Sequence, residues 1–169
     1  MTRTASSPGA KPAPADHEAG RLRSFLRWIL LLELVGIEAE LLLSGHTADF
    51  WQSIPVALIA AALAVLAWDA AVRRPAPVYC WRAVMLLFLL SGFLGAFLHY
   101  RAKAEFQFEV NPSLQGTALF WEAVKSLSPP TLAPGVMIQI GLLGLAWAHR
   151  HPALRDSWGK QEHVSEART

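Results

Sequence analysis

The sequence predicts an all-α membrane protein: an antiparallel bundle of four transmembrane helices, with a short amphipathic helix in the outer loop between the third and fourth. Three observations predict it. Four apolar runs, at about 23–43, 50–72, 81–100 and 131–148, each approach the roughly 20 residues a helix needs to cross the hydrocarbon. Charged residues make up only 17% of the 169-residue chain, against about 25% in ordinary soluble domains, and most lie outside those runs. A soluble domain of this length has too little interior to hide four such runs. Finally, the basic residues are distributed asymmetrically about the runs. With the N-terminus inside, all but Arg101, Lys103 and Lys125 of the 15 Lys and Arg fall on the inner side. The positive-inside rule then puts both termini in the cytoplasm and the chain, as a multi-pass protein, in a bacterial-type inner membrane.

Residues 1–20, rich in Pro, Ala, Ser and Gly, show no hydrophobic period and read as a disordered cytoplasmic tail. The transmembrane domain follows over 21–151, and 152–169 reads as a cytoplasmic C-terminal tail. The first apolar run starts after Arg21, Arg23 and Arg27. Three glutamates inside it, with no small-x-small site after it, argue against a cleaved signal peptide. About a dozen Leu, Ile, Val and Phe favour its insertion by roughly 4 to 7 kcal/mol. Each acidic residue near the centre costs roughly 2.5 to 3.5 kcal/mol, so Glu33, Glu38 and Glu40 leave this helix marginal without its neighbours.

The second run is alanine-rich, with Ala57/Ala61 and Ala60/Ala64 four apart. The third carries Ser91/Gly95 and Gly92/Ala96; the fourth carries Gly141 and Gly144, with Pro134 fitting its first turn. Small residues at such spacings let helix backbones approach in lipid, within the bundle or across a homodimer. Trp28, Trp68, Trp81 and Trp147 near the inner boundary and Trp51 near the outer one form an aromatic belt. The outer loop 101–130 is longer than a simple connection requires. Its first part, AEFQFEV, alternates at period two and reads as extended; Asn111-Pro112 turns it. Phe120, Ala123, Val124 and Leu127 then share one helical stripe over about 117–127, with Trp121 at its edge.

The unusual groups lie in the first run. Glu33 and Glu40 fall about 20° apart on the helical wheel, Gly36 lies on their flank, and Glu38 points about 140° away. If the helix ends near Ser44, Glu33 lies ~16 Å below the outer boundary, Glu38 ~9 Å and Glu40 ~6 Å. At the depth of Glu33 the polar candidates are Ser91 and Gln139, neither of them charged, while Arg101 is placed to reach Glu40. Such a carboxyl is protonated, holds a cation or meets a partner subunit. Toward the outer face, His46 and His99 join Glu40, Asp49, Glu105 and Glu109, nitrogen and oxygen donors suited to a transition metal; two histidines on different helices suit a haem. Asp69, four residues before Arg73, reads as half of an interfacial ion pair.

Several classes are excluded. The single cysteine, Cys80, rules out intrachain disulfides, CxxC redox centres and cysteine zinc sites. No basic stripe suits nucleic acid, and no P-loop, GxGxxG or GxSxG motif occurs. In a chain with no catalytic motif, the expected function is that of an accessory or ligand-binding membrane subunit with an acidic and histidine cluster toward the outer face. Two alternatives accompany it: a metal-, haem- or quinone-linked oxidoreductase, and proton or cation translocation through Glu33.

Overall fold

A computed structural model of the chain describes residues 14–45, 50–72, 74–125 and 132–154. Helix α1 runs Pro14–Leu43, α2 Phe50–Val72, α3 Pro75–Val110, α4 Gly116–Lys125 and α5 Leu132–Ala148. The described residues are all-helical, without strands. Helices α2 and α3 are long and apolar enough to cross a membrane. The other two predicted spans differ. Helix α1 has the length but carries Arg27, Glu33, Glu38 and Glu40 in its apolar stretch. Helix α5 has 17 residues, about 26 Å at 1.5 Å per residue, slightly less than the ~30 Å hydrocarbon core.

Helix α3 is the hub, packing on α2, α4 and α5, while α1 packs on α2 and α5. The contacts give the directions. Arg27, midway along α1, meets Leu66 and Asp69 near the end of α2. Glu33 meets Gln139, and Arg23 meets His149 and Arg150, so α1 and α5 are antiparallel. Along α3 and α5, Gly92 faces Pro134 and Ile138, Gly141 faces Met85 and Leu89, and Gly144 faces Trp81 and Met85. A Cβ at Gly92 would lie 2.6 Å from the Ile138 side chain. These small residues therefore serve intramolecular packing, the close approach that favours glycine in helix pairs. Leu30, Leu34, Ile59, Leu66, Met85 and Phe88 fill the space between the helices.

Four local expectations change. Pro14–Gly20 belong to α1, so the tail read over 1–20 is helical in its last part, and residues 1–13 lie outside the described set. The segment AEFQFEV is helix, the last two turns of α3, rather than extended chain. Its alternation does not record burial, because Phe106 and Phe108 are 60% and 47% exposed, and Arg101 stabilises the helical form through an i,i+4 bond to Glu105. Trp81 and Trp147 are core rather than belt residues, 1% and 2% exposed and packed edge to face at 5.3 Å. Leu154, expected in a tail, is buried against the inner end through a turn over 152–154.

The outer loop is a helical hairpin. Asn111 ends α3 with its N–H donating to the Gln107 carbonyl, and its Oδ1 accepts from the Ser113 N–H and hydroxyl. Gly116, at φ +57°, opens α4 in the left-handed region that glycine tolerates. Tyr100 and Phe120 touch at 5.6 Å, and Ala123 is buried. Helix α4 thus lies where the amphipathic helix was predicted, with Val124 exposed and Leu127 outside the described residues.

Candidate functional site: an apolar pocket beside an acidic helix

In the half of the bundle that carries the α3–α4 hairpin, α1, α2, α3 and α5 leave a pocket of about 440 Å³, called the outer pocket after the predicted topology. Its walls are largely apolar: Ile37 and Leu41 from α1, Ile54 and Pro55 from α2, Leu94, Gly95, Leu98 and Ala102 from α3, Pro134 and Met137 from α5. Hydrogen-bonding groups are few: Ser91, His99, Gln52 and the Trp51 indole. Local sequence explains the space. Gly95 contributes no side chain, and Pro134 turns its ring toward Gly95 at 3.4 Å from a built Cβ. Pro55 has no N–H to offer the Trp51 carbonyl one turn earlier, leaving an extra acceptor near the pocket. Largely apolar walls with a few placed polar groups are the usual composition of a small-molecule site.

The three glutamates of α1 separate. The stripe Leu30, Leu34, Ile37 and Leu41 turns toward the other helices. Glu33 lies on one flank of that stripe, where its Oε1 accepts a 2.8 Å hydrogen bond from Gln139 Nε2 on α5. Its other oxygen is buried with no hydrogen-bond partner among the described residues. Glu38 lies on the opposite flank and also has a buried, unbonded Oε2. Glu40 is exposed, as is Gly36. The depth count placed Ser91 and Gln139 at this level, and Gln139 is the one that meets Glu33. Ser91, the other candidate at that depth, lines the pocket instead.

The predicted metal set is only partly described. His46 and Asp49 lie outside the described residues. Among those described, no three His, Cys, Asp or Glu side chains gather as a metal site would require. His99 lines the pocket, and Glu109 is exposed on the hairpin. Arg101 does not reach down to Glu40; its Nε donates at 2.8 Å to Glu105 Oε1 one turn away.

A second polar cluster, at the opposite end of the bundle, predicted to be the inner one, was largely missed. Asp69 is 6% exposed and pairs with Arg27 of α1 at 3.9 Å. Its expected partner, Arg73, lies outside the described residues. Arg27 also donates to the Leu66 carbonyl, Arg82 to that of Ala148 at 2.9 Å, and Trp81 Nε1 to that of Gly144 at 2.8 Å. The ring of His151 stacks on Trp147 at 5.0 Å, and its Nδ1 accepts from the Ala153 N–H. Burial lowers the proton affinity of His151; Asp69 opposes that shift, while Arg23, Arg27 and Arg82 add to it. One signal in the sequence pointed here: an aspartate in an alanine-rich run needs a partner from another helix as readily as from its own.

Compared with known protein families, curated proteins and solved structures, the chain matches none.

Proposed function

We propose that this chain is a four-span inner-membrane protein with both termini in the cytoplasm, and that it binds a membrane-borne amphiphile in the outer pocket as a non-enzymatic ligand-binding or accessory subunit. The observation that carries this reading is the pocket itself: about 440 Å³, apolar on four sides, with Ser91, His99 and Gln52 at separate points of its wall. That arrangement suits a small ring or headgroup with two hydrogen-bonding positions and an apolar tail, the chemistry of a quinone. The four-span topology is supported by the basic residues, which cluster on one side, and by the direct α1–α5 and α1–α2 contacts of α1, whose glutamates make it marginal alone.

The interior favours binding over translocation. Between the level of Glu33 and that of Asp69 the described core is apolar, filled by Leu30, Leu34, Ile59, Leu66, Met85 and Phe88. A proton or cation path needs polar groups or water through that layer. Titrating purified protein with a short-chain benzoquinone tests the reading through tryptophan quenching. Saturable quenching is expected, most of it lost in Trp51→Phe, with affinity reduced roughly tenfold in His99→Leu by loss of one hydrogen bond. Linear, non-saturating quenching that both variants retain would count against it.

A further inference from the structure

We propose that the cytoplasmic end of the protein holds the phosphate of one acidic phospholipid headgroup, bound by Arg23, Arg27 and Arg82 around the end of α5. The proposal rests on the orientation given above but not on the outer pocket. Arg23 and Arg27 come from α1, Arg82 from α3, and all three side chains are half-buried. Each has one nitrogen bonded to backbone carbonyl oxygen, and Arg27 Nη1 also pairs with Asp69. Arg23 Nη2 donates to the carbonyls of His149 and Arg150, Arg82 Nη2 to that of Ala148, and Arg27 Nη2 to that of Leu66. A guanidinium has five N–H donors, so these bonds fix the three forks and leave most of their donors available. The Nε of Arg23 is buried with no acceptor among the described residues.

The charge does not balance. Among the described residues, three guanidiniums gather at this end of the bundle, each acting on His151, and the anionic side chain paired with them is Asp69, itself buried against Arg27. The carbonyl end of α5 adds about half a negative charge, so a net positive charge remains. The neighbouring imidazole of His151 is electrostatically affected by all three arginines. Fixed guanidinium forks around excess positive charge match the oxygens of a phosphate. Exposed Trp28, next to Arg27 on α1, supplies an apolar and interfacial contact that distinguishes a lipid from free phosphate.

The test is native mass spectrometry of the full chain from mixed phosphatidylglycerol and phosphatidylethanolamine nanodiscs. Wild type is expected to keep one phosphatidylglycerol through detergent exchange that strips phosphatidylethanolamine. Arg23→Gln with Arg82→Gln should weaken retention by roughly thirtyfold, about fivefold per guanidinium. Arg74→Gln, an exposed arginine at the same boundary, should change nothing. Equal retention of both lipids by wild type would overturn the proposal without recourse to any variant. So would equal loss in Arg74→Gln, and so would displacement of the lipid by millimolar inorganic phosphate, which would make the ligand a free anion. Orientation is checked separately by impermeant maleimide on Gln115→Cys in a Cys80→Ser background. Labelling from outside with no lipid retained rejects the headgroup site alone. Labelling only from the cytoplasmic side overturns both the topology and this site.

Discussion

At 2.8 Å from Gln139, Glu33 has one hydrogen bond, and its other oxygen is buried with no partner among the described residues. The sequence placed Gln139 at this depth because a helix rises 1.5 Å per residue, so depth along neighbouring antiparallel helices can be counted. It could not choose between Ser91 and Gln139, because depth says nothing about which side of α3 or α5 turns toward α1. Replacing Gln139 with Leu leaves the Glu33 carboxyl without that donor. It should destabilise the fold by about 1–3 kcal/mol, read as a lower melting temperature in detergent; Glu33→Gln should cost less, because an amide can still bond. An unchanged melting point in Gln139→Leu would mean that the bond contributes nothing. The glycines make a sharper pair. A methyl group at Gly144 would collide with Met85 and Trp81, whereas one at Gly36 would meet nothing within 4 Å. Gly144→Ala should therefore destabilise by about 1–3 kcal/mol. Gly36→Ala should stabilise by up to about 1 kcal/mol through helix propensity.

Among the elements, α1 and α3 show opposite limits of reading a sequence by period. Over Ala104–Val110 strict alternation suggested an extended segment, yet α3 continues as helix to Val110. Period two carries information only where one face is buried, and here both phenylalanines are exposed. The helix formers Ala, Glu and Gln, and the Arg101–Glu105 pair, were the better guide. The stripe read over α4 gave its helical period, although among the described members only Ala123 is buried and Phe120 and Val124 are exposed. Helix α1 was legible as marginal from its charges alone. In a translocon insertion assay, α1 by itself should insert poorly. Glu33→Leu should improve its apparent insertion free energy by about 3 kcal/mol, and Glu40→Leu by less, because Glu40 lies nearer the boundary. Equal gains at the two positions would contradict the depths assigned to them.

For the whole molecule, helix content and the positions of the apolar runs were legible, while both sites depended on azimuth and close packing that no single run reveals. The outer pocket is shaped by Gly95, Pro55 and Pro134 from three helices. The inner cluster joins Arg23 and Arg27 of α1, Asp69 of α2, Arg82 of α3 and His151 just beyond α5. That cluster gives a pH dependence of known sign. Folding lowers the proton affinity of His151, chiefly through burial, so below about pH 6.5 the unfolded chain binds a proton that the folded one resists. Stability contributed by neutral His151 is full above that pH and is lost as pH falls toward the lowered folded value. Between pH 7 and 5 the melting temperature of wild type should fall more steeply than that of His151→Gln; parallel slopes would show that His151 does not carry the effect.

The account's central claim is that the outer pocket holds a membrane-borne amphiphile, and native mass spectrometry of gently solubilised protein tests it most directly. Wild type should carry one apolar-tailed small molecule per chain, released by organic solvent. Ser91→Phe, which fills the pocket, should lose that molecule while keeping its helix content. Wild type without such a molecule, or Ser91→Phe carrying it at the same occupancy, would contradict the account.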